Sequence, residues 1–315
     1  ESKGAALMAI TENLPVSANI PALEQGQQRH RQRKGWTGQN LVTAIMLVCL
    51  AYFLLPLFWL IVSATKTNSE LFSSFGLWFA PDFHLFNNLG DLFTYDGGIY
   101  LTWLGNTVYY AGCSALGAAL LATLAGYVFA RFRFPGRNVV FAIILGSIMV
   151  PNTALAIPLY LLLSKIGLID TPLAVILPSM VSPFGVFLMR VYADQAVPDE
   201  LLDAGRVDGA GELRIFWSIA LRLLTPGFVT VLLFSFVGTW NNYFLPLLVL
   251  SDPNNFPVTV GLENWNSLAA TFGGSQILFT QIITGSLVSI ALLVTGFLFL
   301  QRYWQNGLSF GSLKG

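Results

Sequence analysis

Six long intervals of the chain contain no charged residue, and this pattern restricts the fold more than any other feature of the sequence. A helix needs about 20 apolar residues to cross the hydrocarbon core of a membrane, and each interval is about that long. Only 10% of all residues are charged, whereas a soluble domain carries about 25%. We therefore predict an all-α membrane protein with six transmembrane spans, near residues 41–65, 104–130, 139–163, 171–189, 226–250 and 277–300.

The segments outside the spans set the predicted domain boundaries. Residues 1–40 are polar and lack a clear period, so we expect an N-terminal tail; Met8 can start a native chain, which would make residues 1–7 an addition or an alternative start. A membrane domain is predicted over 41–306, followed by a short tail at 307–315. The first span lacks the small-residue cleavage site of a signal peptide, so we expect it to be retained.

Lysine and arginine are distributed unevenly between the two sides of the predicted membrane domain. Two of the 16 lie on one side, Lys66 and Lys165, and the other fourteen lie on the side of the termini. Positive charge accumulates on the cytoplasmic side of membrane proteins. We therefore predict a multi-pass protein of a bacterial inner or plasma membrane, with both termini in the cytoplasm. The basic run at 29–34 is interpreted as an orientation signal rather than as a nucleic-acid-binding segment.

The spans contain no Asp, Glu, Lys, Arg or His. Ionisable groups inside a membrane usually mark proton relays, ion sites or voltage sensors, so a proton-coupled carrier is disfavoured. A sodium site built from carbonyl and hydroxyl oxygens stays open. The chain also lacks the phosphate-binding pattern Gly-x-x-x-x-Gly-Lys-Ser/Thr. If the chain takes part in driven transport, the energy would therefore come from another subunit at the cytoplasmic surface; we expect that the chain itself is not an enzyme and binds no cofactor. Cys49 and Cys113 lie within spans, where neither a disulfide nor a cysteine metal site is expected.

The longest charged interval between two spans runs from Pro198 to Pro226 and lies on the predicted cytoplasmic side. Proline suits a first helical turn, and Asp199 and Glu200 place negative charge at the positive end of that helix. Asp208-Gly209 is a turn signal. A second helix is predicted from the apolar spacing of Leu213, Phe216, Trp217, Ala220, Leu221 and Leu224. Periodicity alone also allows an amphipathic helix that lies on the membrane surface.

The spacing within this interval resembles the EAA loop of ABC importer permeases. That pattern is Glu-Ala-Ala, three residues, Gly, nine residues, then Ile-x-Leu-Pro. Here Asp203-Ala204-Gly205 stands at the triplet, Gly209 at the glycine and 219–221 at the end. Three positions depart from the pattern, namely Asp203, Gly205 and Arg222. In that family the loop is a coupling helix that docks into a groove on the ATPase subunit.

Further motifs extend the resemblance to most of the chain, which looks like the second permease of a carbohydrate ABC importer, similar to the maltose and glycerol-phosphate permeases. The matching pieces are Asn106-Thr107 and residues 127–136, 149–151, 157–160, 240–247, 258–262 and 307–315. The resemblance implies a type I permease fold with a cytoplasmic coupling helix. It implies a sister permease, two ATPase subunits that hold ATP and Mg, and an external sugar-binding protein as partners, besides membrane lipid and without nucleic acid.

The resemblance also implies roles for two sets of residues. The ATPase would be contacted by Glu200, Asp203, Ala204, Gly205, Asp208, Gly209 and Ala210, with Asp203 one methylene shorter than the usual Glu. The tail from Gly307 would touch the ATPase subunits or remain an exposed end. The external binding protein would be reached by Val260, Gly261, Leu262 and Trp265.

Candidates for the translocation path come from the chemistry of sugar binding, which uses aromatic faces with amide and hydroxyl groups. The side chains of this kind in the spans are Trp240, Asn241, Asn242 and Tyr243, with Asn152 and Thr153 next. The same residues could instead form hydrogen bonds between helices. The function predicted for the whole chain is the permease subunit of an ATP-driven, binding-protein-dependent sugar importer. The alternatives are a stand-alone secondary transporter and an importer of a non-sugar solute.

Overall fold

The computed structural model describes residues 22–271 and 277–308, and the side chains of 39–271, 278–299 and 301. The predicted tail segments 1–21 and 309–315 lie outside the described residues. Within these ranges every regular element is a helix. The α-helices are α1 Ala22–Ala64, α2 Asn68–Ser73, α3 Leu85–Thr94, α4 Ile99–Arg131, α5 Arg137–Ser147, α6 Ala156–Lys165, α7 Pro172–Ser179, α8 Pro183–Ala196, α9 Asp199–Val207, α10 Glu212–Ile215, α11 Leu221–Trp240, α12 Phe244–Val249, α13 Val258–Thr271 and α14 Ile277–Leu308.

Five helical stretches of the described chain are long and apolar enough to cross a membrane: Gln39–Ala64, Leu85–Arg131, Pro172–Ala196, Glu212–Trp240 and Leu278–Phe299. A sixth crossing is obtained if the bent pair Arg137–Ser147 and Asn152–Lys165 counts as one span. The predicted all-α membrane fold is therefore confirmed.

Two predicted spans are not continuous helices. The third bends by 99° between α5 and α6, where Pro151 lacks a backbone N–H and disfavours helical geometry in the residue before it. The fifth ends early, because α11 stops at Trp240 and the chain resumes as a helix only at Phe244. In both cases polar residues occupy the interruption.

The contacts divide the chain into two units, residues 1–58 and 59–315. In the first unit the described residues form one helix, α1, whose side chains from 39 to 58 are exposed. Residues 22–40 of the predicted N-terminal tail are helical, because they belong to α1. This stretch is rich in Gln and Arg, which are good helix formers even without an apolar face.

Helix α4 is the centre of the second unit and contacts α7, α8, α11 and α13. Its buried side chains are mostly small, and small side chains let helices approach closely inside a membrane. At Gly126 the backbone of α4 approaches the backbone of α8 closely: an added Cβ would lie 2.5 Å from the Cβ of Met189 and 2.7 Å from the backbone N of Arg190. No other residue fits this crossing without displacing the α8 backbone.

One face of α4 binds the loop between α12 and α13 through four side chains spaced at helical intervals. The Trp103 indole N–H donates to the Pro253 carbonyl (2.8 Å), the Asn106 amide donates to the carbonyls of 254 and 256 (2.7 and 3.1 Å), and the Tyr110 hydroxyl donates to the carbonyl of 255 (2.8 Å). The Thr107 hydroxyl accepts from the N–H of Val258 (2.8 Å). We call this part of the unit the α13 end, and the opposite part the α9 end.

Asp170 ties the loop between α6 and α7 to the same α12–α13 loop. Its backbone is in the left-handed region (φ 61°), and its carboxylate accepts from the N–H groups of Ser251 (2.9 Å) and Asp252 (3.0 Å). The hydrogen bond from Asp252, followed by that from Ser251, holds the pKa of Asp170 below its ordinary value. The ionised carboxylate therefore stabilises the junction of the two loops.

Gly126→Ala is expected to destabilise the protein by about 1–3 kcal/mol, because the new methyl group must displace backbone on α8. Gly112→Ala on the same helix is the matched control, since nothing lies within 4 Å of its added Cβ. The control should be neutral or slightly stabilising, because Ala is the better helix former. Thermal unfolding in detergent measures both variants, and equal midpoints would contradict the proposed close contact.

Asp170→Asn should weaken the loop junction near neutral pH, by about 1 kcal/mol or less, since a charged acceptor is replaced by a neutral one. Asn tolerates the same backbone angles. A carboxyl group with a lowered folded pKa contributes stability above its unfolded pKa and loses it as the pH falls through the folded pKa. The difference in the free energy of unfolding between the wild type and the variant should thus decrease below about pH 4. Unfolding measured across acidic pH tests this, and a difference that is independent of pH would contradict it.

Candidate functional site

Helix α9 begins at a three-way junction at the end of α4. The Arg131 guanidinium forms an ion pair with Asp199 (2.8 Å) and donates to the carbonyls of Ala193 and Asp194 (both 2.8 Å). It therefore satisfies carbonyl groups at the C-terminus of α8 while binding the first residue of α9. The junction fixes the start of α9 relative to the two helices that pack most closely in the unit.

Helix α9 ends in a glycine cap. Gly209 has φ 77°, its N–H donates to the Arg206 carbonyl (3.0 Å), and the N–H of Ala210 donates to the Gly205 carbonyl (3.0 Å). This pair of hydrogen bonds is the Schellman motif, which satisfies the last carbonyls of a helix. The predicted turn at Asp208-Gly209 therefore stops α9 and directs the chain into α10.

Arg206 joins α9 to α10 on the exposed side of this turn. Its guanidinium binds Asp203 one turn earlier (2.7 Å) and Glu212 at the start of α10 (2.8 Å). The side-chain hydrogen bond with Glu212, followed by that with Asp203, raises the pKa of Arg206 above its ordinary value. The sequence analysis did not identify this link, although an acidic residue at i−3 and another at i+6 across a Gly turn is a signal that could have suggested it.

The two faces of α9 have different roles. Leu202 and Gly205 are buried, and an added Cβ at Gly205 would lie 3.0 Å from Ile219 and 3.3 Å from Ile215. Val207, on the opposite face, is 87% exposed, and Leu201, beside the buried face, is 45% exposed. An apolar side chain so exposed, beside acidic neighbours, is available to a partner surface.

The structure separates the seven residues predicted to contact a partner into two groups. Five are exposed on the surface of α9 and its turn: Glu200, Asp203, Ala204, Asp208 and Gly209. Gly205 is buried against α10 and the turn that follows it, and Ala210 is half-buried. Gly205 therefore makes contacts within the chain. Val207 and Leu201, which the prediction omitted, belong to the exposed face.

A π-helical turn at Phe216–Ala220 connects α10 to α11 and changes the predicted apolar face. Ile215, Phe216 and Ala220 are buried, but Leu213 is 76% exposed and Trp217 is 52% exposed. A π turn holds more residues than an α turn. An apolar face predicted with the period of an α-helix therefore does not match the side chains that pack inward after this turn.

The six predicted path residues lie at or beside the two helix interruptions. Asn152 and Thr153 are exposed at the bend between α5 and α6, and Asn241 and Tyr243 are exposed between α11 and α12. Trp240 is buried and its indole N–H donates to the Ser289 hydroxyl on α14 (3.2 Å). Asn242, the remaining residue, stabilises the backbone locally, because its side-chain oxygen accepts a hydrogen bond from the N–H of Leu245 (3.3 Å). The Asn241 amide donates only within its own helix, to Val237 (2.9 Å).

The residues predicted to reach an external binding protein form part of the core. Val260, Gly261 and Trp265 are buried and Leu262 is half-buried. Trp265 packs on Trp103 with ring centroids 4.7 Å apart, and an added Cβ at Gly261 would lie 2.2 Å from the same indole. Three of the four predicted contact residues are therefore packed within the chain, whereas the exposed side of α13 carries Asn266 and Ser267. The contact with an external binding protein stays a prediction.

Gly209→Ala should destabilise the end of α9 by about 1–2 kcal/mol, because an L-residue is strained in the left-handed region. Gly211→Ala is the matched control: nothing lies within 4 Å of either added Cβ, but Gly211 has an ordinary φ of −71°. Hydrogen exchange at the amides of 208–210 measures the effect. Equal protection in the two variants would show that the cap does not hold this turn.

The family match and the curated relatives of this chain both point to transport-system membrane components. The family described as "Binding-protein-dependent transport system inner membrane component" matches residues 118–308. The arabinooligosaccharides transport system permease protein AraQ of Halalkalibacterium halodurans is 35% identical over 261 residues, which is 82% of this chain and 91% of that protein. The lactose transport system permease protein LacG of Rhizobium radiobacter is 32% identical over 84% of this chain and 93% of that protein.

Among solved structures, a chain of a bacterial ABC transporter involved in the import of the acidic polysaccharide alginate has a similar fold. The TM-score is 0.71 and the alignment covers 84% of this chain and 96% of that chain, at 20% sequence identity. The predicted permease fold is thereby confirmed.

Proposed function

The chain belongs to the family of binding-protein-dependent transport system inner membrane components, and from this membership we propose that it is the permease subunit of an ATP-driven importer for sugars, with oligosaccharides as the first class to test. The observation that carries the proposal is the face of α9. It presents exposed apolar and acidic side chains on a helix that is fixed at both ends. The oligosaccharide class is suggested by the permease relatives, whose systems transport arabinooligosaccharides and lactose.

In this proposal α9 is the coupling helix that docks on an ATPase subunit. Val207 and Leu201 supply apolar contact, and Glu200 and Asp208 give the surface its acidic character. Arg131 and Arg206 keep α9 from moving independently of α4, α8 and α10. A displacement of the ATPase is therefore transmitted to α4 and α11 as a rigid-body rotation, which is one of the ways in which a binding event is converted into domain motion.

The complete importer requires further chains. We place a sister permease beside this one, two ATPase subunits that hold ATP and Mg at the α9 end, and an external sugar-binding protein at the α13 end. The chain itself contributes no nucleotide site. Both termini and α9 face the cytoplasm in this arrangement, which is supported by the fourteen lysines and arginines on that side against two on the other.

The translocation path is assigned to the two helix interruptions. Asn152, Thr153, Asn241 and Tyr243 offer amide, hydroxyl and aromatic groups that are exposed within otherwise apolar spans. Irregular backbone at membrane depth is tolerated where it lines a cavity or is buried in protein. Sugar hydroxyl groups passing these points would exchange hydrogen bonds with the side chains as the permease changes its access.

Val207→Glu tests the docking face. The substitution should reduce ATPase co-purification in mild detergent by at least about tenfold, because a new charge must be desolvated in an apolar contact. Asn266→Glu, which adds the same charge to an exposed position on α13, is the control and should leave the ATPase bound. Retention of the ATPase by both variants would contradict the assignment of α9, and a wild-type chain that purifies without an ATPase would favour a secondary transporter.

Asn241→Leu tests the path. Its side chain bonds only within its own helix, so the complex should assemble normally while uptake of a labelled oligosaccharide falls by about tenfold, as expected when a sugar hydroxyl loses an amide partner. Asn138→Leu, which makes the same change at an exposed position of α5 to which no role is assigned, is the control. Equal uptake by the two variants, at equal amounts of assembled complex, would remove Asn241 from the path.

A further inference from the structure

The segment between α1 and α3 brings three potential metal ligands together. Glu70 lies on α2, and Asp82 and His84 lie in the segment before α3. One ligand atom of each residue lies within 4.8 Å of the ligand atoms of the other two. His84 is one of two histidines in the chain. The transport proposal uses none of these three residues.

A network of hydrogen bonds holds the backbone that carries them. The N–H of His84 donates to the Thr65 carbonyl (2.8 Å). The side-chain amide of Asn88, which is buried, donates to the carbonyls of Ala64 and Lys66 (2.8 and 3.0 Å). These bonds join the last carbonyls of α1 to the start of α3. The imidazole and the carboxylates therefore project from two segments of backbone that are already fixed to each other.

The Glu70 carboxylate is oriented by a capping box. One of its oxygens, Oε2, accepts from the N–H (2.8 Å) and the hydroxyl (2.9 Å) of Thr67, which leaves Oε1 for another partner. Metal-binding carboxylates are commonly held in this way by a hydrogen bond on the oxygen that faces away from the ion.

The nearest buried cation does not occupy the cluster. The Lys66 ammonium is buried and donates to the Phe75 carbonyl (2.8 Å), so it is held by a backbone group. Asp82 is exposed, and Glu70 and His84 are half-buried. The cluster thus opens to solvent on one side, where an ion could enter and retain water as a fourth ligand.

We infer that Glu70, Asp82 and His84 form a binding site for a divalent transition metal of the zinc class. One imidazole nitrogen and two carboxylate oxygens form a ligand set that zinc accepts, with bonds of about 2.0–2.2 Å. Tetrahedral coordination needs ligand atoms about 3.4 Å apart, so the distances between ligand atoms, which are at most 4.8 Å, must shorten by up to about 1.4 Å, which rotamer changes provide. The bound ion would link α2 to the start of α3 and close the intervening loop.

Zinc titration of the intact, metal-stripped protein tests the site. The protein should be purified without a polyhistidine tag and titrated by calorimetry, with Co²⁺ absorption reporting the coordination geometry. One Zn²⁺ per chain is expected to bind at this cluster. His84→Ala and Asp82→Asn should each weaken binding by at least about tenfold, the range found when support for a metal ion is lost. Asp82→Asn replaces an exposed side chain, so a folded variant is available even if His84→Ala is unstable.

His30→Ala removes the other histidine of the chain and is the matched control, together with Glu263→Gln, which removes a carboxylate from α13. Both should bind Zn²⁺ as the wild type does. A cluster that forms only hydrogen bonds and ion pairs would give no stoichiometric Zn²⁺ binding to the wild type. That result, or equal affinity in the His84→Ala and His30→Ala variants, would overturn the inference. None of these outcomes depends on transport activity.

Discussion

The close approach of α4 to α8 at Gly126 is the constraint on which the rest of the second unit depends. Helices in a membrane gain little from the hydrophobic effect, so they associate through tight contacts and hydrogen bonds. Because small residues line α4, three other helices pack around it. Its two ends then carry the polar contacts: Trp103, Tyr110 and their neighbours bind the α12–α13 loop, and Arg131 binds α8 and α9. A single helix therefore connects the surface assigned to the binding protein with the surface assigned to the ATPase.

Much of this architecture could be predicted from the sequence, because a membrane imposes a simple rule. Uncharged intervals of sufficient length must be helical, and a turn containing Asp208-Gly209 between charged residues must lie outside the membrane. The interruptions were harder to place. Proline marks the bend before α6. Asn241-Asn242 follows the end of α11, and Asn is common just after a helix. Two polar residues inside a long uncharged interval do not by themselves show that the helix stops there.

The site could be predicted only in outline for a related reason. Spacing identified the segment that forms α9, but not which residues of it face outward. Gly205 is buried, Val207 is exposed, and Leu213 leaves the apolar face because a π turn changes the helical register. The burial of Val260 and Trp265 has the same explanation. A motif locates a segment, whereas packing decides which side of the segment is accessible. Ion pairs such as Arg206 with Glu212 join residues across a turn. They depend on the path of the backbone through the turn, which the spacing of apolar residues in the sequence does not predict.

Only 10% of the residues are charged, and Arg131 is one charged residue that has two roles. It is one of the fourteen basic residues that orient the chain in the proposed topology, and its planar guanidinium also serves an aspartate and two carbonyl groups. A lysine would preserve the orientation signal but has a single nitrogen, which cannot reproduce the fork. One side chain therefore contributes both to the orientation of the chain in the membrane and to the coupling of α4 with α8 and α9. Evolution of either property at this position is restricted by the other.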